Sequence, residues 1–132
     1  MSRIETREAA VFFIYQTDFR SEDLLDQIKI YIESNPSIED DKDYFMSTVI
    51  GVMDNRDSID KKISSFLKKW TIARLPKLDR AILETAVYEI ENVEDIPVSV
   101  TINEAVRLSK KYGTEDSSSY INGVLSSFEK SL

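Results

Sequence analysis

The chain has 132 residues, 42% hydrophobic and 31% charged, with a net charge of -7 at pH 7. That length supports one domain, which on folding hides roughly two thirds of the surface that the unfolded chain exposes. The lack of histidine and cysteine excludes Ser-His-Asp and Cys-His catalysis, disulfides, zinc sites of the usual N/S kind and the Glu-x-x-His di-iron bundle; 3 Gly and 3 Pro are too few for a turn-rich sandwich or barrel.

Residues Ala9 to Tyr15 are apolar around the whole circumference, which predicts a first helix running through the middle of a bundle. Ser21 followed by Glu22 and Asp23 is a helix start signal, with acids where the dipole favours them. Leu24, Ile28, Tyr31 and Ile32 mark the second helix. Asn35-Pro36-Ser37 separates it from a third, marked by Phe45, Val49, Val52 and Met53 and opened by the acidic stretch Glu39 to Asp43, a solvated helix start. Ile59, Ile63, Phe66, Leu67 and Trp70 keep the rhythm of a fourth. Pro76 fits the first turn of the fifth, whose stripe is Leu78, Ile82, Leu83, Ala86 and Ile90.

Ile96-Pro97 forces an extended residue before a sixth helix. There Thr101 and Glu104 have capping-box spacing, with Ser99 as the other candidate cap. Gly113 is a natural left-handed stop, and Asp116 can cap a seventh helix carrying Tyr120, Ile121, Val124, Leu125 and Phe128. Asn122-Gly123 would suggest a hairpin, but it lies inside an unbroken helical stripe. It reads as helical, with Gly123 admitting a close neighbour. The prediction is an all-α fold of seven helices, with no strand and no linker long enough to separate independent domains.

Chemistry is scarce. There is no Walker A or dinucleotide glycine motif. Asp54, Asp57 and Asp60 fail as a calcium loop, because Ile59 stands at the sharp-turn glycine and Ser65 at the closing Glu. Carboxylates are abundant, yet nothing in their spacing singles out a pair for acid–base work. No enzyme activity, cofactor or metal is expected. The short apolar run near the start lacks a cleavage site, and no run approaches the roughly 18 apolar residues of a membrane span, so the expected location is the cytoplasm. The net charge of -7 is awkward for a protein that grips nucleic acid alone, since phosphate contacts need cations.

The segment DIPVSVTINEAVRLSKKYGTEDSSSYINGVL, Asp95 to Leu125, is the most specific in the chain. With LDRAILETAVYEI (Leu78 to Ile90) and, near the start, Arg7-Glu8-Ala9-Ala10-Val11 followed by Tyr15-Gln16, it resembles the NusB transcription-antitermination family. The likeness is strongest from about Trp70 to Phe128 and weakest over about 20 to 55. It implies two small helical bundles packed together as a single domain, an N-terminal lobe of about 1–70 and a C-terminal lobe of about 71–132. It also implies binding of single-stranded boxA-type leader RNA from ribosomal RNA operons with the ribosomal protein NusE, inside the RNA polymerase antitermination complex.

By position, the resemblance implies RNA contacts at Arg3, Arg7, Tyr15, Asp79 and Arg80, and a NusE surface near Glu115, Asp116 and Tyr120. Each has a plainer reading beside it. Arg3 and Arg7 oppose the dipole of the first helix rather than stabilise it, and together with that dipole make a positive spot suited to phosphate. Tyr15 also reads as a core residue with its hydroxyl at the rim. Asp79 also reads as a first-turn acid, Asp116 as a cap and Tyr120 as packing. Family members often begin with a dense arginine cluster, whereas this chain has only Arg3 and Arg7 with Glu5 between them. Lys77, Arg80, Lys68 and Lys69 are candidates to extend the patch. The expectation is weak RNA binding alone, rescued by a basic partner.

The competing reading is a helical adaptor that binds a ribosomal protein without RNA. A third, the NusB-like domain of ribosomal RNA methyltransferases, would need a catalytic extension that is not expected here. Self-association to a homodimer through the RNA surface is a further expectation.

Overall fold

The computed structural model describes residues 1–68 and 71–132. Among these, the chain forms seven α-helices and no strand: α1 (Arg3–Thr17), α2 (Leu24–Ser34), α3 (Lys42–Asp54), α4 (Arg56–Ser64), α5 (Lys77–Asn92), α6 (Val98–Tyr112) and α7 (Ser117–Lys130), with 3-10 segments at Pro36–Asp41 and Ile72–Arg74. Trp70, expected on the fourth stripe, and Lys69, expected in the basic patch, lie outside the described residues.

Helix α5 is the hub, packing on α1, α3, α4, α6 and α7. Its stripe of Ala81, Ile82, Leu83, Ala86 and Val87 is buried, and on α1 so are Ala10, Val11, Phe13 and Ile14. The first three helices are locked by an aromatic trio. Phe13 meets Tyr31 and Phe45 edge-on at 5.4 and 5.8 Å, and Tyr31 stacks on Phe45 at 5.7 Å. No helix among the described residues is long and apolar enough to cross a membrane.

Helix ends depart from expectation where side chains found better partners. Ser2 and Glu5 form a capping box on α1, and Asp23 rather than Ser21 caps α2. Helix α4 stops at Ser64, so Phe66 and Leu67 pack beyond its end; Ser65 turns its hydroxyl onto the Lys62 carbonyl at 2.7 Å, which competes with helix continuation. Neither Thr101 nor Ser99 caps α6; its N-cap is Pro97, and Thr101 bonds Glu89 instead. Asp116 occupies the N-cap of α7 without a side-chain cap bond.

The glycines also differ. Gly113 is extended (φ -92°, ψ -169°), and its need is space: a Cβ there would lie 2.7 Å from both the Ser109 carbonyl and the Ser117 hydroxyl. A Cβ on Gly123 would meet nothing within 4 Å, so it marks no close helix approach. The close approach is at Gly51 on α3, against which the Tyr88 ring of α5 lies.

Candidate nucleic-acid and partner interface

At the N-terminal end of α1, both arginines are held by acids. Arg3 donates from Nε and Nη2 to Asp41 at 2.6 and 3.1 Å, with its guanidinium 4.3 Å from the Tyr44 ring centroid. The terminal amine pairs with Asp40 at 2.6 Å. The stretch Glu39 to Asp43, expected to be a solvated helix start, therefore supplies counter-charges.

Arg7 is only 4% exposed. It donates from Nε and Nη2 to the two Glu89 oxygens at 2.9 and 2.8 Å. Glu89 also accepts from the Tyr44 hydroxyl at 2.7 Å and the Thr101 hydroxyl at 2.8 Å, so four helices meet at one buried carboxylate. Burial is the largest single influence on Arg7 and opposes its charge, but the Glu89 hydrogen bonds together with the charges of Tyr44, Glu89 and Glu104 outweigh it and raise its pKa. Burial and then Glu89 push the Tyr44 phenol up, keeping it a donor. The positive spot expected at the tip of the first helix is thus largely neutralised, and Arg7 does stabilise that helix, through a tertiary pair. A signal is present in the sequence: Arg7 precedes Ala10, Val11 and Ile14 by three, four and seven residues, which puts it on the buried face.

Tyr15 lies about 18 Å of helix away from Arg3. It is half-buried, with its ring edge-on to Phe19 at 5.2 Å. Beyond it runs a ladder of basic and acidic side chains. Lys77 reaches Asp18 at 3.9 Å, Asp18 pairs with Arg56 at 2.8 Å, and Arg56 donates to Glu84 at 2.8 and 3.2 Å. Arg80 closes it, 2.6 Å from Asp60 and 3.5 Å from Glu84. Glu84 is wholly buried. Burial, and then its hydrogen bond with Asp60, hold its carboxyl up at about 8 against the opposing pull of Arg56. Nothing local in the sequence singles out Arg56, since its partners lie on other elements, whereas Glu84 also has Arg80 four residues before it on the same helix. No group of three acids among the described residues is arranged to hold a metal ion.

Asp79 is fully buried at the start of α5 and accepts from Ser117, at 2.7 Å, and from the Tyr120 hydroxyl. Burial and then Asp79 raise the Tyr120 pKa. Ser117 in turn accepts from the Thr114 N–H at 2.9 Å, so Asp79 organises the entry to α7 without touching solvent. Beside it, a groove of about 520 Å³ runs between Phe66–Lys68 and α7, lined among others by Asp116, Tyr120, Ser119 and Gly123. Asp116 and Tyr120 meet there; Glu115 is exposed and is not among the lining residues. The residues expected at RNA therefore fall into two regions, and one of them, Asp79, is bonded to the set expected at the partner.

These features define a class of small all-helical protein built around one central helix, with most of its arginines drawn into ion pairs and one open groove along the last helix. The chain belongs to the NusB family, whose sequence model matches residues 4–130. It is 42% identical over 125 residues to the transcription antitermination protein NusB of Acetivibrio thermocellus, covering 95% of this chain and 86% of that one. Among solved structures it superposes on T. maritima NusB with a TM-score of 0.86 at 34% identity, covering 98% of this chain and 92% of that one. It matches equally well, at 27% identity and 100% of both chains, a structure of the antitermination factors NusB and NusE in complex with dsRNA, TM-score 0.86.

Proposed function

We propose that this chain is a non-enzymatic antitermination factor of the cytoplasm. On this reading it binds boxA-type single-stranded leader RNA of ribosomal RNA operons with the ribosomal protein NusE and acts in the RNA polymerase antitermination complex. The observation that carries the reading is the end-to-end match to a chain solved with NusE and RNA. The charge distribution gives it a mechanism. A body of net charge -7 whose arginines are largely spent on Asp41, Glu89, Glu84 and Asp60 holds few free phosphate contacts. A basic partner seated on the acidic rim of α7, at Glu115, Asp116 and Tyr120, supplies the missing cations, and opposite charge speeds its docking.

In this proposal Arg3, Tyr15 and Arg80 meet RNA directly. Arg7 and Asp79, both buried, act by holding α1 and α7 against α5. The test is titration of a boxA-like strand at two salt concentrations, with and without NusE. Affinity that rises with NusE at both concentrations is expected, and equal affinity in both cases overturns the cooperative mechanism. The pairing of Arg3 and Arg7 with acids favours a second reading, an adaptor that binds NusE without RNA. Arg3→Ala separates them: the RNA factor loses RNA affinity while keeping NusE, and the adaptor shows no RNA defect.

A further inference from the structure

Residues 61–78 carry Lys61, Lys62, Lys68, Lys69, Arg74 and Lys77 and no acid, within a chain that is otherwise strongly anionic. Next to the end of this stretch stands Phe19, just past the C-cap of α1, with 62% of its surface exposed. Tyr15 braces its ring edge-on, and the Lys77 ammonium lies 5.9 Å from its centroid. Lys77 is half exposed, its ion pair with Asp18 is long at 3.9 Å, and Arg74 is exposed within about 11 Å of chain from it.

We infer that Phe19, Lys77 and Arg74 form a base-stacking platform for single-stranded RNA, at the opposite end of α1 from Arg3; this rests on the RNA-binding reading above. The chemistry matches on both counts. A strand offers flat π-faces with anionic phosphates between them, and single-strand sites combine aromatic platforms with cations. Phe19 is braced by Tyr15 and keeps most of its surface exposed, so a base adds to a ring that is already oriented. Lys77 and Arg74 stand where the flanking phosphates run. Farther back along the same acid-free stretch, Lys68 lines the groove beside Asp116 and Tyr120, which carries the track toward the partner.

The experiment measures binding of a labelled boxA-like single-stranded RNA, with NusE present, across a salt series. Phe19→Ala loses about tenfold in affinity with an unchanged salt slope, and Phe19→Tyr retains binding. Lys77→Ala and Arg74→Ala each flatten the slope of log K against log salt by about 0.7, the value of one single-strand phosphate. Wild-type protein that binds while Phe19→Ala binds equally well overturns the platform and leaves the RNA reading standing. Wild-type protein that fails to bind overturns both. Phe19→Ala that weakens NusE binding in the absence of RNA assigns the surface to the protein partner and overturns the platform as well.

Discussion

Replacing Arg7 by Ala removes one half of a buried ion pair and leaves Glu89, 0% exposed, with only the Tyr44 and Thr101 hydroxyls at 2.7 and 2.8 Å. Breaking a buried pair from one side costs about 3–5 kcal/mol, because the remaining charge stays desolvated. With an unfolding entropy of about 2.1 cal/mol/K per residue, a cost of about 4 kcal/mol lowers the Tm of a chain this size by about 14 °C. Thermal and urea melts of wild type and Arg7→Ala measure this directly. Arg7→Met with Glu89→Gln, which removes both charges and keeps the acceptor for Tyr44 and Thr101, recovers most of the loss. RNA binding of the single variant, measured well below its melting point, falls only as far as its folded fraction falls. A variant that melts like wild type yet loses RNA refutes the argument and makes Arg7 a direct phosphate contact.

The glycines give a matched pair of tests in urea melts. Gly51→Ala drives a methyl into the Tyr88 ring and destabilises by about 1–3 kcal/mol, whereas Gly123→Ala, with open space around it, stabilises α7 by about 0.5–1 kcal/mol. Glu84 sets a pH dependence. Its folded carboxyl titrates at about 8 against an ordinary 4.5, so between those values the folded state holds the extra proton and stability falls as pH rises. Melts from pH 5 to 8.5 show that slope in wild type and a shallower one in Glu84→Gln; parallel curves refute the assignment.

Apolar stripes were legible on all seven helices, although that of α4 holds only as far as Ile63, and so was the break at Asn35-Pro36, because both are local in sequence. Helix ends were less so. Thr101 and Asp116 satisfy local capping rules, yet Thr101 is drawn to Glu89 on another helix and Asp116 makes no cap bond. Charge was the least legible, because the partner of Arg7 lies 82 positions away and local rules assign it to phosphate. The hint lay in periodicity. Asp79 precedes Ile82, Leu83 and Ala86 with the same spacing that Arg7 has to its own buried stripe. A charged residue on an apolar face announces a buried pair before it announces a ligand. The exposed Phe19 lies outside any stripe, and only its contacts with Tyr15 and Lys77 give it meaning.

The most direct measurement is sedimentation of this chain with NusE and a boxA-like single strand, each pair alone and all three together. The account predicts a three-component species at concentrations where the chain and the RNA alone sediment separately. Co-sedimentation of chain and RNA to the same extent without NusE would contradict it.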